Sequence, residues 1–172
     1  TFSHESGFYT DEFDLEIFCK EGETIFYTLD GSIPTTDSNF YQDAIHISDA
    51  SENENVWSMR KDVSNGYFDG AGFEVPDYLI DKCTVLRAIC VDEEGNESAA
   101  ASATYFVDFD QKEGYQGMNI VSIMTDPDNL FDYDKGIYVM GSIYDSSKEY
   151  DSTQWYSDLW WWWNANYKQS GR

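Results

Sequence analysis

The stretch Ile25-Phe-Tyr-Thr-Leu-Asp-Gly-Ser-Ile-Pro-Thr-Thr36 constrains the fold more than any other part of the chain. It reads as a strand running into a tight turn at Asp30-Gly31, with the chain leaving past Pro34. Glycine accepts the positive φ that such turns require, and a chain turning there cannot continue as a helix. The neighbouring segments agree. Phe13-Asp-Leu-Glu-Ile alternates apolar and acidic residues, which predicts a half-buried strand with Phe13, Leu15 and Ile17 facing the core. Glu21-Gly22 is expected to make a hairpin into Glu23–Leu29, and Ile45-His-Ile47 a further short strand with His46 outward. Val85–Val91 reads as a central strand, Glu93–Asn96 as a turn, and Ala101–Phe109 as the last strand. No segment before Phe109 has a helical period, so the expected class is all-β: an antiparallel sandwich over residues 1–109.

Two segments do not fit a compact repeat. Residues 48–81 form a long polar insert carrying Trp57, Tyr67, Phe68, Phe73 and Tyr78. Residues 110–116 read as a linker, and 117–172 as a strand-rich C-terminal fragment opening with a strand at Met118–Met124.

The strand and turn of Ile25–Thr36, followed by Thr84–Ser98 and Thr104-Tyr-Phe106, resemble the immunoglobulin-like module at the C-terminus of chitobiase and β-hexosaminidase. That resemblance implies a secreted bacterial accessory module, extracellular or at the cell surface. The run Met118–Met124, then Asp126-Pro-Asp-Asn-Leu-Phe131 and Gly136-Ile-Tyr-Val-Met-Gly141, resembles the opening of the CotH family of spore-coat-type kinases. The tail Trp160–Arg172 is similar to that family as well. The resemblance implies that 117–172 is the truncated start of a CotH-type domain whose remainder is the natural partner. That family's catalytic residues would lie beyond Arg172, so none is carried onto this chain.

Charge and composition exclude other classes. A net charge of −23 repels nucleic acid and anionic membrane surfaces, and no apolar run is long enough to span a bilayer. No phosphate-binding glycine loop is present, and neither His4 nor His46 sits at zinc spacing, so the chain reads as non-catalytic. Three cysteines, Cys19, Cys83 and Cys90, read as buried free thiols in preference to one disulfide plus a spare.

Six Trp and thirteen Tyr exceed what a small core encloses, leaving rings at the surface. Sugars lie on such rings while polar groups bond their hydroxyls, which makes Trp57, Arg60, Tyr67, Asp69 and Tyr78 the candidate polysaccharide site. The competing reading is that these rings pack the insert against the protein. Trp155 and Trp160–Trp163 are assigned to packing within the complete CotH-type domain. Asp126, Asp128, Asp132 and Asp134 are a candidate calcium set. Their alternative reading is a capped turn that packs Leu130 and Phe131 inward. Apart from possible calcium, no cofactor is expected.

Overall fold

The structure is a computed structural model, described here over residues 1–63, 74–139 and 141–142. It contains two compact units. The first comprises Thr1–Glu54 and Leu79–Met124; the second takes its described residues from Asn55–Tyr78 and from Thr125 onward.

The first unit is an all-β sandwich. Its strands are β1 (Gly7–Tyr9), β2 (Phe13–Leu15), β3 (Thr24–Thr28), β4 (Asn39–Phe40), β5 (Ile45–Ile47), β6 (Thr84–Val91) and β7 (Ala101–Val107). One sheet runs β1-β7-β6-β3-β4, and the other pairs β2 with β5. Alternation places the core as expected: Leu15 and Ile17 are buried with Ile45 and Ile47 against Leu86, Ala88, Ala103, Tyr105 and Val107. Phe13 packs against this cluster from its rim. His46 points outward and its Nδ1 lies 3.0 Å from Asp14 Oδ1 on the paired strand. Burial pushes the Tyr105 hydroxyl up to about 12, and that hydroxyl donates to the His4 carbonyl at 3.0 Å.

The Asp30-Gly31 turn forms where the sequence places it. Gly31 has φ +83°, and a Cβ there would come within 3.2 Å of Val85 Cγ1. Asp30 Oδ1 accepts from the Ser32 amide at 3.0 Å, and Arg87 Nη1 donates to the Gly31 carbonyl at 3.1 Å.

Five expectations need correction. The five-stranded sheet is mixed, because β1 runs parallel to β7 while the other pairs are antiparallel. Glu21-Gly22 is not a hairpin; it carries the chain from β2 in one sheet to β3 in the other. The last strand stops at Val107, where Asp108 adopts φ 62° and starts a 3₁₀ turn through Phe109. Met118–Met124 has the alternation of a strand but no ladder partner among the described residues, so it remains extended chain, with Val121 80% and Ile123 85% exposed. Period-2 patterning specifies an extended backbone, whereas a strand also needs a neighbour. Finally, Cys19 and Cys90 form a disulfide with Cα atoms 6.1 Å apart, leaving Cys83 as the free thiol. Spacing could not show this, since the two are 71 residues apart and meet only when β3 pairs with β6.

In the second unit α1 (Pro127–Phe131) is one short helix, with Pro127 at its start and Asp126 Oδ1 accepting from the Asp128 amide. Val63 and Val139 form an isolated antiparallel bridge. The middle of the insert therefore builds a unit with residues more than 60 positions later.

Candidate functional site

Trp57 opens a 3₁₀ turn, Trp57–Met59, and lays its indole parallel to the Phe131 ring at 5.0 Å and 8°. The Arg60 guanidinium sits 4.9 Å from the centre of the same ring. Its Nε donates to Asp62 Oδ1 at 3.0 Å, Nη2 pairs with the other Asp62 oxygen, and Nη2 also donates to the Phe131 carbonyl at 3.3 Å. The Arg60 hydrogen bond holds the Asp62 carboxyl below the usual carboxylate range. Tyr138 completes the cluster, 6.3 Å from Phe131.

Of the five candidate glycan residues, the structure thus brings Trp57 and Arg60 onto one ring. Tyr78 is 67% exposed, and its carbonyl accepts from Asn55 Nδ2 at 2.7 Å. Tyr67 and Asp69 lie outside the described residues, as do Trp155 and Trp160–Trp163. Sequence reasoning missed Phe131 as the ring on which Trp57, Arg60 and Tyr138 converge. The only signal was the expectation that it packs inward. Trp57 remains 37% exposed, so the indole keeps surface beyond its contact with Phe131. Arg60 is engaged by Asp62 and a carbonyl, which occupies donors that a sugar hydroxyl would need.

Two of the four candidate calcium ligands, Asp126 and Asp132, serve the backbone. Asp126 caps α1, while Asp132 Oδ1 accepts from the amides of Asp134 and Lys135 at 3.0 and 2.9 Å. No three of these carboxylates converge within ligand reach of one another.

A groove of about 290 Å³ lies in the first unit. It is walled by Phe8 and Phe106, which stack at 4.7 Å, and by Ile120 and Met124, with the hydroxyl residues Ser6, Thr104 and Ser122.

The β-sandwich fold agrees with the comparison to known families. The sequence model described as Fn3 associated matches residues 15–105, just over half of the chain. The chain belongs to the Fn3-associated family. No curated protein and no solved structure matches it. The matched span runs from Leu15 in β2 to Tyr105 in β7, so the insert lies inside the Fn3-associated region.

This Fn3-associated sandwich pins both ends of its insert with lysines. Lys112 Nζ lies 2.9 Å from Asp49 Oδ2, 2.9 Å from Asp81 Oδ1 and 3.0 Å from Ser51 Oγ. Lys82 Nζ donates to the carbonyls of Asn53 at 2.8 Å and Ile80 at 2.9 Å. Partial burial pushes the Asp49 carboxyl up, but hydrogen bonds from Lys112 and Ser51 outweigh it and the net shift is downward. The Lys112 hydrogen bond likewise lowers Asp81. Partial burial opposes the Lys112 charge, yet bonds to both aspartates leave its pKa raised. The lowered carboxyls stabilise the fold above their unfolded values and lose that contribution as pH falls through the folded ones. The raised lysine contributes below its unfolded value and loses it as pH rises through the folded one. Lys112→Met should therefore lower stability by about 1 kcal/mol, a figure reduced by solvent screening, with little pH dependence between about pH 5 and 9. Urea melts of both proteins at several pH values measure this.

Proposed function

We propose that this chain is a non-catalytic accessory module of a secreted bacterial protein, and that it spaces and positions a following CotH-type domain. The observation that carries this reading is the stacking of Trp57 on Phe131. A ring that could grip a ligand is instead used to join the insert to the segment that resembles the start of the CotH-type domain. The Cys19–Cys90 disulfide supports an oxidising, extracellular setting. No helix among the described residues is long and apolar enough to cross a membrane. The chitobiase-type resemblance fits an Fn3-associated module of this kind.

The residual exposure of Trp57 and Tyr78 favours a second reading, a carbohydrate-binding module. Affinity electrophoresis against plant and bacterial polysaccharides separates the two. The spacer reading expects the chain and its Trp57→Ala variant to migrate alike in every gel. Retardation of the parent that Trp57→Ala abolishes would establish the carbohydrate reading instead.

A further inference from the structure

The turn between β2 and β3 brings together three metal-ligating side chains. Gly22 takes φ +86°, and the Glu23 amide donates to the Lys20 carbonyl at 3.2 Å, closing the reversal. Cys19 and Glu23, four residues apart, thereby come to one side of the turn. The register of β3 on β6 sets Ile25 opposite Cys90 and Thr24 opposite Val91, which carries Cys90 to the same place. One ligand atom from each of Cys19, Glu23 and Cys90 lies within 4.8 Å of the other two, and all three residues are half-buried. The Glu23 carboxylate is also oriented: its Oε2 accepts from the Lys20 amide at 3.1 Å. Lys20 Nζ stands 3.8 Å from Oε1, but that side chain is 89% exposed and can swing away.

While the disulfide is closed, the two sulfurs bond each other. We propose that this disulfide is one state of a redox-gated zinc site, with Glu23 as third ligand and water as fourth once the sulfurs are released. A dithiol reductant opens the S–S bond by exchange: it becomes a cyclic disulfide, and Cys19 and Cys90 each gain a proton. Zinc then displaces those two protons, and both thiolates and the Glu23 carboxylate donate electron pairs to it. The ligand set suits this ion. Zn–S bonds of about 2.3 Å and Zn–O bonds of about 2.0–2.2 Å in a tetrahedron need ligand atoms roughly 3.3–3.8 Å apart. Thiolates favour zinc over the hard ions magnesium and calcium. A strongly acidic chain further favours binding a cation. In the oxidised form only Glu23 of the three ligands keeps an anionic electron pair for the metal, so oxidation and zinc binding exclude one another. This inference does not depend on the spacer reading.

The test uses the full chain carrying Cys83→Ser, so that only the paired cysteines remain. It is reduced with a phosphine, which does not compete for the metal as a dithiol would, and is titrated with Co²⁺ and then Zn²⁺. The reduced protein should bind one Co²⁺ with thiolate-to-cobalt charge-transfer absorption, release it to one Zn²⁺, and melt at a higher temperature with zinc present. The oxidised protein should do none of these. Glu23→Gln should weaken zinc about tenfold or more while leaving the melt of the oxidised chain unchanged. Absence of the charge-transfer band, equal zinc binding by both redox states, or failure of the reduced chain to fold with zinc present would each overturn the proposal.

Discussion

A chain in which Cys19 and Cys90 are both replaced by alanine should lose about 4 kcal/mol of stability relative to the oxidised parent. The disulfide closes a loop spanning 71 positions, which encompasses β3, β4, β5 and the whole insert. Releasing a loop of that length returns a large conformational entropy to the unfolded chain, while the folded chain loses only one half-buried contact. In urea the midpoint should fall. The slope should rise, because an unfolded chain without the cross-link exposes more surface. Cys83→Ser serves as the control and should change stability by less than about 1 kcal/mol. A double variant as stable as its parent would mean that the pair is not bonded in the folded protein.

Gly136→Ala should destabilise the second unit by about 3 kcal/mol or more. A Cβ at this position would lie 2.5 Å from the Leu130 carbonyl and 2.6 Å from the amide nitrogens of Phe131 and Asp132. All three are backbone atoms at the end of α1, so no side-chain rotation relieves the overlap. The chain doubles back there: the Gly136 amide donates to Asp132, Ile137 to Asn129 and Tyr138 to Leu130, at 2.7, 3.1 and 2.8 Å. Forcing the two strands of chain apart breaks these bonds and shifts Phe131, the ring that holds Trp57 and Arg60. Hydrogen exchange gives a local readout. The amides of Ile137 and Tyr138 should lose protection, while those of β6 and β7 keep theirs. Unchanged exchange at Ile137 and Tyr138 would contradict the close approach.

How much was legible varies with the range of the interaction. Leu15, Ile17, Ile45 and Ile47 could be placed in the core from alternation alone, because successive side chains on an extended backbone must face opposite ways. The capped turn at Asp126 could be read because a short side chain and proline at fixed offsets satisfy the first amides of a helix. For the candidate site, the sequence offers Trp57 and Arg60 only as two of five insert residues, with Tyr67, Asp69 and Tyr78. The partner of Trp57 and Arg60, Phe131, lies 74 and 71 positions away and carried no mark that distinguished it from ten other phenylalanines.

What the sequence by itself determined is the set of local decisions. They are the turns at Asp30-Gly31 and Glu93–Asn96, the strands of alternating apolar residues, and the Fn3-associated identity these together encode. The tertiary structure alone decided which distant segments meet. It placed β1 parallel to β7, closed Cys19 on Cys90, left Met118–Met124 without a strand partner among the described residues, and divided the insert between two units. The physical reason is common to all four. Turn chemistry and side-chain alternation act within a few residues, whereas pairing across 70 or more positions depends on the summed burial and hydrogen bonding of the assembled sheets.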